Sequence, residues 1–205
     1  NENIQVEIAS AREEKYNSES RKPSKISYTD LHGDLVRRDF TINAMAMHIS
    51  SENFGLLTDP YNGLADIENK ILKTPLDPDE TFSEDPLRMM RAAYFSSKLG
   101  FKIEDKCIDS MKRQSERIKI VSWERIRDEL FKILKTKKPS IGLRILQETG
   151  LMKIVFPEID AMYGIEQTAE WNHKDIFNHT LQVVDNAAKL TDKMEIRFAA
   201  LVHDI

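Results

Sequence analysis

The stretch from Ser83 to Phe95 constrains the fold of this chain more than any other. It reads Ser-Glu-Asp-Pro-Leu-Arg-Met-Met-Arg-Ala-Ala-Tyr-Phe. Ser83 and Asp85 are favourable N-cap residues, and a proline directly after them suits a first helical turn. Apolar residues then recur with helical spacing, so the stretch predicts a helix over 84–99 that ends before Gly100.

Helical patterns continue through the rest of the sequence. They predict further helices over 104–117, 122–136, 139–149, 175–190 and 194–203. Before residue 80, in contrast, strand and turn signals alternate. The predicted fold class is therefore α+β and mostly α, with a small mixed region at 1–80, a helical region at 81–160 and the start of a further all-α region at 161–205.

The mixed region contains one predicted helix, from Leu35 to His48. Its start would carry Arg37 and Arg38, and the free N–H groups of a helix start attract anions, an effect that guanidiniums strengthen. Ile4 to Arg12 alternates apolar and polar residues and predicts a half-buried strand. The polar run at 13–34 predicts a loop.

Charged residues recur every three positions at Asp85, Arg88 and Arg91, so they form a polar stripe on the helix that starts near Ser83. Cytosine and adenine both present an amino donor beside a ring-nitrogen acceptor, whereas guanine and uracil present the reverse. A carboxylate next to a guanidinium therefore complements C and A and opposes G and U. The alternative is an ordinary surface helix whose charges pair with one another.

The chain has a modest overall charge that is unevenly distributed. Its 205 residues have a formal net charge of −4, yet residues 111–140 hold ten Lys or Arg against four acids. Such a stripe can bind a phosphate backbone, although solvated helix faces have the same composition. The single cysteine, Cys107, fits a reducing cytoplasm, and no apolar run approaches the roughly 20 residues of a membrane span.

Three motifs carry a family resemblance. Arg-Arg-Asp-Phe-Thr-Ile-Asn-Ala runs from Arg37 to Ala44, Asp-Pro-Tyr-Asn-Gly follows at 59–63, and Glu-Asp-x-x-Arg begins at Glu84. In this order and spacing they resemble the class II tRNA nucleotidyltransferase and poly(A) polymerase family, over essentially the whole chain. The resemblance implies the end of a nucleotidyltransferase head, a helical neck and body, and template-independent addition of C and A, from CTP and ATP, to tRNA 3′ ends. A poly(A) polymerase shares every motif, and a metal-dependent phosphohydrolase or a non-catalytic RNA-binding module are further alternatives.

The resemblance also implies roles for individual residues. Arg38 would contact the nucleotide, while Asp39 and Asn43 would be ribose-side or positioning groups. The alternative for Asp39 is that it only caps the predicted helix. The three residues of the polar stripe would recognise the base. Tyr94 stands where many members carry a further arginine, and a tyrosine cannot give a charged bidentate contact.

Members of this family transfer nucleotides with two Mg²⁺ ions held by an Asp-x-Asp pair. No such pair lies in the predicted first strand, so we expect the sequence to be an internal part of a longer protein and to be inactive by itself. Glu7 matches a family carboxylate near the metals, but it is equally a solvent-facing strand residue.

The C-terminal part carries His173, Asp175, His179 and the pair His203-Asp204. Histidine and aspartate suit Mn²⁺, Ni²⁺, Fe²⁺ or Zn²⁺, although a His-Asp pair after an apolar helix also serves as a cap. The pattern resembles the HD-type phosphohydrolase domain that follows many of these enzymes. His179, His203 and Asp204 would match its ligands, and its final aspartate is expected beyond the end of the sequence.

Overall fold

The N-terminal part of the chain is built from short elements. The computed structural model describes residues 6, 8–17, 20–169 and 172–205. An antiparallel hairpin of β1 (Arg12–Asn17) and β2 (Ser20–Tyr28) leads into helix α1 (Leu31–Val36). Next come the antiparallel pair β3 (Ala46–Met47) and β4 (Leu57–Thr58), helix α2 (Gly63–Asn69) and strand β5 (Ile71–Leu72).

Helices dominate the remainder and confirm the predicted fold class. They are α3 (Pro78–Glu84), α4 (Leu87–Leu99), α5 (Asp105–Gln114), α6 (Trp123–Leu134), α7 (Pro139–Glu148), α8 (Met152–Val155), α9 (Pro157–Asp160), α10 (Ile176–Leu190) and α11 (Met194–Val202). Between them, β6 (Lys102–Ile103) pairs in parallel with β5, and β7 (Glu166–Ala169) forms a hairpin with β8 (Asn172–Asp175).

Helix α4 lies at the centre of the core, where it packs against both α6 and α7. Its residues Met89 and Met90 are fully buried. Gly142 of α7 permits the close approach, because a Cβ there would lie 3.0 Å from the carbonyl oxygen of Ala93 and 2.7 Å from Cγ2 of Ile133. An added methyl group would force these helices apart. The packing therefore fixes the helix that carries Arg88 and Arg91.

The predicted helix from Leu35 to His48 is wrong. Helix α1 ends at Val36 and Arg37 is its C-terminal cap, so the two arginines follow a helix instead of starting one. Phe40 is extended, with φ −134° and ψ 151°, and is fully buried. The carboxylate of Asp39 accepts a hydrogen bond from the Phe40 N–H at 2.9 Å, which offers the backbone an alternative to the helix.

Three further boundaries differ from the predictions. The predicted loop at 13–34 contains the β1–β2 hairpin and α1, whose first turn is capped by Asp30. Residues 6 and 8–11 lie outside any strand, and the rest of the strand predicted from Ile4 falls on residues that are not described. The helix at Ser83 begins later than predicted, at Leu87, because α3 extends to Glu84 and Asp85 is the extended residue that ends it.

None of the helices in the described part of the chain combines the length and apolar character that a bilayer-spanning segment requires. Cys107 is a free thiol within the core, and burial raises its pKa to about 11. The thiol is therefore protonated at neutral pH and acts as a small apolar residue.

Candidate functional site

A polar cleft opens where the turn after α1 meets α4 and α6. It has a volume of about 480 Å³. Its walls are formed by Arg37, Arg38, Asp39, Asn43, Asp85, Arg88, Arg91, Phe95 and Arg125. All six residues that the motifs indicate for nucleotide binding thus lie around one cavity, although they come from segments about fifty positions apart.

Asp39 connects the two motifs. Its Oδ1 accepts hydrogen bonds from the Phe40 N–H and from Nδ2 of Asn43, at 2.9 and 3.1 Å. Its Oδ2 accepts from Nε of Arg91 at 2.7 Å and lies 2.6 Å from Nη2 of the same side chain. Asp39 is buried, and both of its oxygens accept hydrogen bonds from protein donors, so its carboxylate fixes the side chains of Asn43 and Arg91.

Arg91 is held from two directions. Asp39 binds one edge of its guanidinium, and the central guanidinium carbon, Cζ, lies over the Phe95 ring at 5.4 Å from the ring centre. Desolvation by burial lowers the pKa of Arg91, but the charge of Asp39 and its hydrogen bond outweigh this, so the net shift is upward. The side chain is therefore a fixed positive charge at the cleft wall.

A second buried carboxylate, Asp34, organises the adjacent arginines. Its Oδ2 accepts from Nε and Nη2 of Arg38 at 3.1 and 2.7 Å, and its Oδ1 accepts from Nη2 of Arg37. Burial raises the pKa of Asp34, but hydrogen bonds from Arg38, Arg37 and the Arg12 N–H outweigh it, and the net pKa lies below the ordinary value of 3.8. About half of the Arg38 side chain stays exposed to the cleft.

The lowered pKa of Asp34 predicts acid-sensitive stability. A carboxyl whose folded pKa is depressed stabilises the fold fully above its unfolded value, and this contribution is lost as the pH falls through the folded value. We expect Asp34→Asn to lower the free energy of unfolding at neutral pH, and the gap to wild type to close below about pH 4. Urea unfolding at several pH values measures both curves, and parallel curves would contradict this account.

Arg88 and Asp85 lie at the junction of α3 and α4. Arg88 is buried: its Nη1 donates to the Thr81 carbonyl and to Glu84, at 3.2 and 3.4 Å, and its Nη2 donates to the Arg37 carbonyl at 2.6 Å. Within the described part of the chain, Nε–H and one Nη2–H remain without a hydrogen bond. Asp85 is less buried, and its Oδ2 accepts a long 3.5 Å contact from Arg125.

Sequence reasoning missed two residues of the cleft wall, Phe95 and Arg125. Phe95 belongs to the apolar side of the predicted helix, and Arg125 lies within the basic run at 111–140. The helical spacing of α6 places Arg125, Asp128 and Lys132 on one face. This spacing was a sequence signal that could have marked Arg125 as a candidate for a shared surface and not only as one of the solvated charges of the basic run. With Arg125, five arginines and two aspartates line the cleft, which gives a positive field suited to an anionic ligand.

A separate cluster forms where α10 meets the end of α11. One ligand atom from each of His179, His203 and Asp204 lies within 4.8 Å of the others, and no other such group occurs among the described residues. Nδ1 of His203 lies 3.0 Å from the carbonyl oxygen of Ala200, an acceptor that requires the ring proton on Nδ1 and leaves Nε2 available. Asp175 instead caps α10 through the Asn178 N–H, and the side chain of His173 lies outside the described set.

Comparison with known proteins assigns the family. Residues 1–73 match the family model described as the poly A polymerase head domain, and residues 100–163 match the one described as the probable RNA and SrmB-binding site of polymerase A. The multifunctional CCA protein of Vibrio campbellii is 41% identical over 181 residues, which cover 85% of this chain and 43% of that protein. The chain belongs to the class II tRNA nucleotidyltransferase and poly(A) polymerase family.

Solved structures agree with this family membership. A CCA-adding enzyme in an apo form matches with a TM-score of 0.73 and 27% identity, over 95% of this chain and 44% of that one. A tRNA nucleotidyltransferase complexed with a primer tRNA and an incoming ATP analogue matches with a TM-score of 0.67 and 25% identity, over 87% of this chain and 52% of that one. The chain spans less than half the length of the curated relative named above.

Proposed function

We propose that this chain is part of a template-independent RNA nucleotidyltransferase that adds C and A, from CTP and ATP, to the 3′ ends of tRNA. The observation that carries the proposal is the convergence of Arg38, Asp39, Asn43 and the stripe residues around one cleft. The names of relatives support it, because one is called a multifunctional CCA protein and another binds a primer tRNA and an ATP analogue.

In this proposal Asp85 and Arg88 select the base. The carboxylate accepts from the amino group of C or A, in place of its long contact with Arg125. The guanidinium donates its remaining hydrogens to the ring nitrogen and, in cytosine, also to the adjacent carbonyl oxygen. Arg88 is fixed by its bonds to Thr81 and to the Arg37 carbonyl, so it cannot turn away to suit a different base.

The Arg37-Arg38 segment binds the triphosphate and ribose. About half of the Arg38 side chain is exposed on the cleft wall, where it can donate to phosphate oxygens. Asn43 offers an amide to the ribose, and Asp39 holds both Asn43 and Arg91 in place. Asp39 is therefore proposed as a positioning residue, which is one of the roles that the resemblance implies for it.

The family implies divalent metal ions for the transfer step, and Mg²⁺ is the proposed ion. The described residues contain no carboxylate cluster that fits a pair of such ions, because their one group of potential ligands lies at the C-terminal end. We therefore assign no transfer step to these residues. Glu7, the one candidate carboxylate, lies outside the described part.

We also propose a domain organisation for the chain. Residues 1–80 belong to the nucleotidyltransferase head, 81–160 form the helical neck and body, and 161–205 begin an HD-type domain; the matched ranges 1–73 and 100–163 support the first two. The basic helices within 111–140 would hold the RNA backbone. The buried free thiol of Cys107 suits the reducing cytoplasm, where we place the enzyme.

The deciding experiment uses the full-length protein and tRNA that lacks its terminal CCA. CTP and ATP are supplied separately and together, and the products are sequenced. We expect two C residues and one A, with both nucleotides required. A run of A residues from ATP alone would identify a poly(A) polymerase, and no incorporation with any nucleotide would contradict the proposal.

A second proposed activity is metal-dependent phosphohydrolysis at the C-terminal cluster. Two imidazoles and one carboxylate within 4.8 Å of one another form a donor set that suits Mn²⁺, Ni²⁺, Fe²⁺ or Zn²⁺. The bond between Nδ1 of His203 and the Ala200 carbonyl orients the ring as it would for a ligand. When bound, the metal would activate a water molecule for attack on a phosphate ester.

His203→Ala in the full-length protein is expected to weaken metal binding at this cluster by at least about tenfold, since one of three protein ligands is lost. Isothermal titration with Mn²⁺ or Ni²⁺ measures the affinity, and phosphatase activity is assayed alongside. Asp175→Ala is the matched control, because Asp175 caps α10 without belonging to the cluster. Equal metal affinity in all three proteins would contradict the assignment.

A further inference from the structure

A second recess adjoins the nucleotide cleft between α4 and α6. It has a volume of about 270 Å³ and is lined by Leu87, Arg91, Arg125, Asp128, Glu129 and Lys132. Arg91 and Arg125 also line the nucleotide cleft, so the two cavities are adjacent and share these side chains. A group bound in the recess would lie directly beside a nucleotide bound in the cleft.

Glu129 is a buried carboxylate with an incomplete set of partners. The residue is 3% exposed. Its Oε1 accepts a hydrogen bond from Nζ of Lys132 at 2.7 Å, but Oε2 has no hydrogen-bond partner among the described residues and is closed to solvent. A buried carboxylate oxygen without a donor is destabilising, and the residue that carries it lines the recess, so a ligand bound there can supply the missing donor.

The other walls of the recess define the chemistry of that ligand. The side chains of Arg125 and Lys132 are 36% and 47% exposed, so both can bind a phosphate. Lys132 can exchange its bond with Glu129 for a phosphate oxygen and thereby open access to the carboxylate. A ligand that joins a phosphate to a nearby hydroxyl donor is the ribose-phosphate unit of RNA, whose 2′-hydroxyl DNA lacks.

We propose that this recess holds the 3′-terminal ribose-phosphate of the RNA that is extended, with its 2′-hydroxyl donating to Oε2 of Glu129. The inference rests on the proposed nucleotidyltransferase function and assigns its RNA-strand subsite. The phosphate is bound by Arg125 and Lys132. The contact of the 2′-hydroxyl with Glu129 distinguishes an RNA end from a DNA end before any nucleotide is added.

The surface beyond the recess supports a path for the RNA strand. Lys132 also lines a smaller recess of about 170 Å³ with Tyr94, Lys98, Lys135 and Thr136. Nζ of Lys98 lies 5.5 Å from the centre of the Tyr94 ring. Three lysines beside an aromatic ring suit the preceding nucleotide, with its phosphate on the cations and its base against the ring.

The test uses the full-length protein and tRNA that lacks its CCA end, with either the natural 2′-hydroxyl or a 2′-fluoro group at the terminal nucleotide. Fluorine has a similar size but cannot donate a hydrogen bond. Fluorescence anisotropy without added nucleotide gives the two affinities. We expect wild type to bind the natural end about tenfold more tightly, as for a hydrogen bond to a charged group.

Glu129→Met, which keeps the side-chain length but removes the acceptor, is expected to bind both tRNAs equally. Glu124→Met, at an exposed acid of the same helix that lines neither the cleft nor the recess, is expected to retain the tenfold preference. A preference that persists in folded Glu129→Met would overturn the inference. Equal binding of both tRNAs by wild type would overturn it as well, whether or not the variant folds.

Nucleotide selection is measured in the same proteins. CTP binding over UTP in Glu129→Met is expected to match wild type, because Asp85 and Arg88 lie outside the recess. If wild type prefers CTP but shows no 2′-hydroxyl preference, only the RNA subsite is wrong. If wild type has no preference for CTP, the proposed function itself is contradicted.

Discussion

Asp85→Ala in the full-length protein is expected to remove most of the preference for CTP and ATP over UTP and GTP. A well-made contact to a base edge discriminates by about 1–3 kcal/mol, or roughly 5- to 150-fold. In the proposed site, Asp85 supplies the acceptor that the amino groups of C and A require, and its carboxylate repels the carbonyl groups of U and G. The ratio of kcat/KM for CTP and UTP, measured on tRNA lacking its CCA end, gives the change directly.

The matched control for this variant is Asp79→Ala. Asp79 is a half-exposed carboxylate of α3 that pairs with Arg113 and does not line the cleft. Its replacement should leave the CTP to UTP ratio unchanged. Arg88→Ala should also lose the preference, but it removes the bonds to Thr81 and to the Arg37 carbonyl as well, so its effect includes a structural part. An unchanged ratio in Asp85→Ala would exclude base selection by this residue.

The helical part of the fold could be predicted from sequence because its signals are local. Helices α6, α7, α10 and α11 begin and end within about three positions of their predicted bounds, since apolar periodicity and the glycine stops at 100 and 150 act within one segment. The N-terminal part could not be predicted in this way. There the strands are short, and one of them, β5, pairs with β6 some thirty positions later.

The turn around Asp39 shows why a secondary-structure prediction from local sequence fails in this region. Residues Leu35 to His48 have a helical composition, but the buried ring of Phe40 packs edge-on against Phe95, at a centroid distance of 5.7 Å. Thr41 donates its N–H to the Lys73 carbonyl and its hydroxyl to Asp66. These long-range contacts outweigh a helix propensity of a few tenths of a kcal/mol per residue. The six residues that the motifs indicated nevertheless line one cleft, because motif spacing does not depend on the predicted secondary structure.

The same turn gives the largest expected loss of stability. Asp39→Ala leaves Arg91 without its main partner and removes the acceptor for the Phe40 N–H and Asn43. Breaking a buried ion pair costs about 3–5 kcal/mol, and because Arg91 is one-third exposed we expect about 2–4 kcal/mol. Urea unfolding measures the loss as a lower midpoint at an unchanged slope. Asp128→Ala, at an exposed pair, should change stability by no more than about 0.5 kcal/mol.

Asp39→Asn separates the two parts of this loss. Its amide oxygen can still accept from the Phe40 N–H and so preserve the turn, whereas the charge that holds Arg91 is gone. If the ion pair carries the stability, Asp39→Asn should lose nearly as much as Asp39→Ala and should also weaken CTP binding, because Arg91 is no longer fixed at the cleft wall. Wild-type stability and wild-type CTP affinity in Asp39→Asn would show instead that the turn is sufficient, and the link between the two motifs would then have no role in the site.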